Sequence, residues 1–147
     1  MQSLPHHYHV HAKGSAEGEV HLGGDQLPDL AATAPPEFDG PAGYWSPETL
    51  LMASVAGCFV LTFRSVARAS KLDWESVACD VNGVLERHDG RNHFAHLTVK
   101  PHLVVRNAAD EHLARQCLDK AETACLVTNS LTADIKLDPS VEVVENA

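Results

Sequence analysis

The chain has 147 residues, of which 44% are hydrophobic and 21% charged, the balance of a soluble globular protein with one domain and a sizeable core. Its formal charge of −9 argues against nucleic acid and anionic membranes as partners, since both need a basic footprint. Ten histidines would cancel that charge on acidification, near about pH 6.5.

The first twelve residues lack the apolar core of a secretory leader, so a cytoplasmic location is expected. Permanent disulfides are not expected there. The four cysteines therefore ask for a catalytic, metal or packing explanation. No Cys-x-x-Cys pair is present, which argues against a zinc finger.

Tyr8, Val10 and Ala12 alternate with His7, His9, His11 and Lys13, the period of a strand with one wet face. These histidines could line up as metal ligands, but no nearby carboxylate or cysteine completes a site, and a solvated strand face is the favoured reading. Gly14 to Gly18 reads as a turn and Glu19 to Leu22 as the returning strand. From Gly23 to Trp45 the sparse anchors Leu27, Leu30 and Phe38 suggest a short strand and an irregular loop, in which Tyr44 and Trp45 supply aromatic material.

The next segment, Ser46 to Arg64, organises the chain. Ser46 can cap a helix, Pro47 suits its first position, and Glu48 complements the positive end of its dipole. From Leu50 to Phe63 there is no charge, so the helix is expected to be covered on most sides. That run is shorter than the roughly 20 apolar residues a bilayer requires. One chain of this size has little material to wrap such a helix, so a second subunit is a natural source of cover. Cys58 then lies in apolar surroundings, where burial raises a thiol pKa and reactivity must come from nearby donors or cations.

Trp74 to Glu86 alternates as a strand with Cys79 on its apolar face, a small buried hydrophobe. His88-Asp89-Gly90-Arg91-Asn92 contains a hairpin signal, and Ala95 to Leu103 marks the return. Asn107 can cap a helix from Ala108 to about Glu122, with Leu113 and either Cys117 or Leu118 on its apolar stripe. Cys125 follows that helix and precedes a short helical candidate, Leu126 to Leu131. A thiol at a helix start meets free N–H groups that lower its pKa. Ile135 to Val144 completes the chain with one or two strands interrupted by Pro139.

Cys58 and Cys125 thus stand out, although spacing alone does not say whether they meet. The run Ser46-Pro47-Glu48-Thr49-Leu50-Leu51 leading through Ala56-Gly57-Cys58-Phe59, together with Ala121-Glu122-Thr123-Ala124-Cys125 continuing to Ser130-Leu131, resembles the OsmC/Ohr family of osmotically inducible and organic hydroperoxide resistance proteins. The resemblance covers most of the chain. It implies a single OsmC-like domain over residues 1–147, of α+β class, with central helices packed against antiparallel sheets in an interleaved homodimer. It implies a cofactor-free and metal-free thiol peroxidase. In that scheme Cys58 matches the peroxidatic cysteine, Cys125 the resolving cysteine, and Glu48 the active-site carboxylate. The implied partners are an organic hydroperoxide and an external dithiol reductant. Two positions depart from the pattern: Ala16 stands where the Ohr branch carries an activating arginine, and Leu126 where a proline often follows the second cysteine. Lys13, or an arginine of a second chain, is the candidate to replace that arginine, Lys13 first.

Two other classes of function compete. A non-catalytic binding protein would hold a small hydrophobic ligand in an apolar interface pocket and would tolerate serine at position 58. A metal-binding protein would use the N-terminal histidines.

Overall fold

A computed structural model of the chain describes residues 1–145, which form an α+β structure of two compact units. The first unit, Met1–Leu51, is built on a three-stranded antiparallel sheet of β1 (His11–Lys13), β2 (Val20–Gly23) and β3 (Leu30–Ala32). The expected N-terminal hairpin is present but short. Pairing stops at His11↔Gly23 because the chain turns at Asp25 and Gln26, the latter at φ 59°, so His7 and His9 lie outside the ladder. The loop after β3 is not wholly irregular: Pro36–Phe38 forms a 3-10 turn, and Thr33 N–H donates to Trp45 O at 3.0 Å.

The long helix α1 spans Pro47–Ala69. Its start is a reciprocal cap: Thr49 N–H donates to Ser46 Oγ at 3.1 Å, and Ser46 N–H donates to Thr49 Oγ1 at 2.9 Å. The end is a Schellman turn with Lys71 at φ 57°, closed by Leu72 N–H to Ala67 O at 2.9 Å.

The second unit runs from Met52 onward and holds the main core. Strands β4 (Ser76–His88) and β5 (Arg91–Val105) form a long antiparallel hairpin. Asp89 and Gly90 both take positive φ, 51° and 76°, as a two-residue hairpin turn matched to strand twist requires. Two short strands, β6 (Asp134–Leu137) and β7 (Ser140–Val143), pair with β5 in parallel, so this sheet is mixed. They cover His96–Val99 and His102–Val105 respectively, and Pro101 falls in the gap between them, where its missing N–H removes no ladder bond on that edge.

On the inner face, Leu97, Val99, Leu103 and Val105 of β5 pack with Val55, Phe59, Phe63 and Ala67 of α1 and with Ala114, Cys117, Leu118 and Ala121 of α2 (Glu111–Ala124). Both Cys117 and Leu118 are therefore core residues. The α2 start differs from expectation: Asn107 makes no side-chain cap, donating instead to Asp110 Oδ2 at 3.5 Å, and a 3-10 turn at Ala108–Asp110 precedes the α-helix. Helix α1 is long and apolar enough to cross a membrane by length and composition alone. Among the described residues one stripe of it is buried, at four-residue intervals from Val55 to Ala67. Leu61 is 59% exposed, so the cover expected on most sides is not supplied by the single chain.

Candidate active site

Cys58 sits in the middle of α1, half-buried. The 3.6-residue period of the helix sets it off the Val55–Phe59–Phe63 stripe, and the groups that tune its thiol include residues of the corner between α2 and α3 (Leu126–Asn129). Cys125 occupies that corner. It ends α2, caps α3 in an extended conformation (φ −67°, ψ 109°), and is 1% exposed. The corner is fastened by three bonds: Thr128 Oγ1 to Cys125 O at 3.1 Å, Asn129 N–H to the same oxygen at 3.0 Å, and Asn129 Nδ2 to Thr123 O at 3.0 Å.

This corner bears on the Cys58 thiol. Burial pushes the Cys58 thiol up, but four donors outweigh it: the Val127 N–H, the Cys125 side chain, the Thr62 hydroxyl and the Leu126 N–H. The net effect is a Cys58 pKa below the ordinary 9.0. Each of these donors is uncharged. The amides that the sequence points toward Cys125 act on Cys58 instead, and the Cys125 side chain, at the N-cap position, makes no capping bond to them. Thr62 Oγ1 lies 3.8 Å from Cys58 Sγ.

The remaining cysteines have other environments. Cys79, on β4, has its thiol pushed up to about 11 by burial, by the Asp80 carboxylate and by Cys125, which the Lys100 N–H offsets only in part. Cys117 is fully buried in the core. All four cysteines are unpaired thiols.

Glu48 stands in the first turn of α1, within the first compact unit. Its Oε1 is buried and has no hydrogen-bond partner among the described residues. Lys13 ends β1 and is exposed, as is Ala16 in the turn that follows. Among the described residues no three His, Cys, Asp or Glu side chains form a group that could hold a metal ion, the N-terminal histidines included. Sequence reasoning missed Thr62 and the paired amides of Leu126 and Val127. Thr62 was findable, since residues four apart share one face of a helix; the amides follow only from the fold.

Comparison with known proteins identifies the lineage. The family model described as OsmC-like protein matches residues 40–140, which takes in both cysteines and Glu48. The chain belongs to the OsmC family. Among solved structures, an organic hydroperoxide resistance protein OsmC from Legionella pneumophila is 25% identical, with a TM-score of 0.75 over 96% of this chain and all of the other. An OsmC-like protein of unknown function from Vibrio cholerae O1 biovar eltor shares the fold at a TM-score of 0.81 and 16% identity, over 92% of this chain and 99% of that one. The uncharacterized protein YmaD of Bacillus subtilis (strain 168) is 24% identical over 112 residues, 74% of this chain and 75% of its own. The OsmC-like fold thus carries the Cys58 and Cys125 corner.

Proposed function

We propose that this chain is a cofactor-free thiol peroxidase that reduces organic hydroperoxides. The observation that carries the reading is the Cys58 thiol, whose sulfur lies 3.8 Å from the Thr62 hydroxyl and whose pKa is lowered by the Val127 and Leu126 N–H groups and the Cys125 side chain. These are the groups a thiolate nucleophile and its resolving partner need. The Cys58 thiolate attacks the O–O bond, the alkoxide leaves and takes a proton to become an alcohol, and Cys58 is left as a sulfenic acid. The Cys125 thiol then condenses with it, releasing water and forming a Cys58–Cys125 disulfide. An external dithiol reduces that bond by exchange.

The apolar residues of α1 around Cys58 favour alkyl or lipid hydroperoxides over hydrogen peroxide. The Legionella relative, described as an organic hydroperoxide resistance protein, fits the same substrate class. Activation by neutral donors offers a route that does not depend on the arginine replaced by Ala16. The uncovered apolar face of α1, with Leu61 exposed, supports a homodimer in which a second chain supplies the cover.

The test is peroxide consumption by purified protein with a dithiol reductant, comparing an organic hydroperoxide with hydrogen peroxide. The proposal expects faster turnover of the organic substrate and none with Cys58→Ser. Equal consumption by Cys58→Ser would take the chemistry away from Cys58, and no consumption by the wild type would overturn the proposal in favour of a binding role.

A further inference from the structure

Threonine and serine hydroxyls inside helices ordinarily return to a backbone carbonyl three or four residues earlier. Two helical threonines of the second unit do so: Thr123 Oγ1 donates to Asp119 O at 3.3 Å and Thr128 Oγ1 to Cys125 O at 3.1 Å. Thr62 makes no such bond among the described residues. Among the described hydrogen bonds its hydroxyl has one partner, the Cys58 sulfur one turn back at 3.8 Å. A hydroxyl can accept from a thiol or donate to a thiolate by rotating its proton, so this contact survives ionisation and strengthens with it. The Leu126 and Val127 N–H groups that also lower the Cys58 pKa belong to α3, whereas Thr62 belongs to Cys58's own helix.

We propose that Thr62 is the hydroxyl donor that holds the Cys58 thiolate for attack, a role that rests on the peroxidase reading of the same site. When the sulfur becomes a sulfenic acid its charge is gone and the Thr62 bond weakens. The hydroxyl therefore favours the attacking state over the oxidised one.

The experiment reads Cys58 directly and needs no peroxide. Cys58 in the full chain is alkylated with iodoacetamide between pH 5 and 10, and its rate is followed by peptide mass for wild type, Thr62→Val and Thr62→Ser. Valine keeps the shape without the donor, and its helix propensity is close to that of threonine. One hydrogen bond to a charged acceptor corresponds to roughly a tenfold change in thiolate population at low pH. The more basic sulfur is about threefold more nucleophilic, so the expected net loss is roughly threefold below the wild-type midpoint. Above the Thr62→Val midpoint the same compensation makes the variant faster by about threefold, so the two pH profiles cross. Thr62→Ser should follow wild type.

Coincident profiles for Thr62→Val and wild type would overturn the proposal. So would a parallel slowing at every pH, or a serine variant shifted as far as valine, since each points to packing rather than to the hydroxyl. Should valine disturb the helix, Thr62→Ala provides the same donor loss with a better helix former. Peroxide turnover is measured separately: crossing alkylation profiles in a protein that consumes no peroxide would leave the Thr62 donor standing and sink the peroxidase reading.

Discussion

Leu126→Pro is a substitution the structure expects to be nearly silent, and that expectation tests the account of the α2–α3 corner. Leu126 is the first residue of α3, where proline is well accommodated, and Cys125 before it is already extended at φ −67° and ψ 109°, as a residue preceding proline must be. The leucine is 69% exposed, so of the roughly 1.5–3 kcal/mol that full burial of such a side chain is worth, less than about 1 kcal/mol is at stake. Fixing φ in the unfolded chain returns about 0.4–1 kcal/mol. The two effects cancel to within about 1 kcal/mol, which for a chain of this size is a Tm change of no more than about 4 °C. Chemically, proline deletes the Leu126 N–H, the smallest of the four donors to Cys58, and leaves Val127, Cys125 and Thr62 in place. Alkylation of Cys58 at low pH should slow by less than the roughly threefold expected for Thr62→Val. Thermal unfolding and pH-resolved alkylation measure both. A Tm loss above about 10 °C, or a tenfold slower Cys58, would refute the assignment of Leu126 as an exposed and minor contributor.

Three further outcomes are expected. One equivalent of organic hydroperoxide should convert Cys58 and Cys125 to an intrachain disulfide; peptide mapping that finds Cys79 or Cys117 in the bond would remove Cys125 as the resolving residue. Sedimentation at low micromolar concentration should give a dimer, and a folded species near 15.9 kDa would rule that out. The Cys79 thiol, raised from 9.0 to about 11, stabilises the fold fully below pH 9, and that contribution is lost as pH rises through about 11. Wild type should therefore lose stability across that window faster than Cys79→Ala does, and parallel pH–Tm curves would show that Cys79 is not buried as described.

What could be read from the sequence divides along the range of the forces involved. The α1 start was legible because Ser46, Pro47 and Thr49 act within one turn, and the β4–β5 hairpin because Asp89-Gly90 specifies its own turn. The parallel pairing of β6 and β7 with β5 was not, since each is four residues long and its partner lies more than thirty positions away. The same holds for the site. Cys58 and Cys125 were separately conspicuous, but their meeting depends on how α2 packs through Ala114, Leu118 and Ala121, which no local pattern encodes. Local sequence assigns the free amides of the α3 start to Cys125, whereas the thiol whose pKa they lower is Cys58. Alternation from His7 onward overstates β1, because the length of the strand is set by the reach of its partner β2.

Glu48 is the site residue whose role most needs a direct test. A buried carboxylate oxygen without a hydrogen-bond partner is costly, so Oε1 calls for a donor. Its own cysteine is out of reach along α1: ten residues of helix are about 15 Å, and the two side chains diverge by about 80°. If Glu48 positions a cation or a hydroperoxide at a Cys58 sulfur, that sulfur belongs to a second chain, lying across central helices that run antiparallel. The decisive preparation is a mixed dimer of one Glu48→Ala chain with Cys58 intact and one Cys58→Ser chain with Glu48 intact. Across the interface this pairing assembles one complete site and one empty site, so about half of the wild-type peroxidase activity should return, while each mutant homodimer has almost none. An inactive mixed dimer would show that Glu48 serves the cysteine of its own chain. Activity in the Glu48→Ala homodimer would show that the Cys58, Thr62 and Val127 arrangement carries the reaction without it.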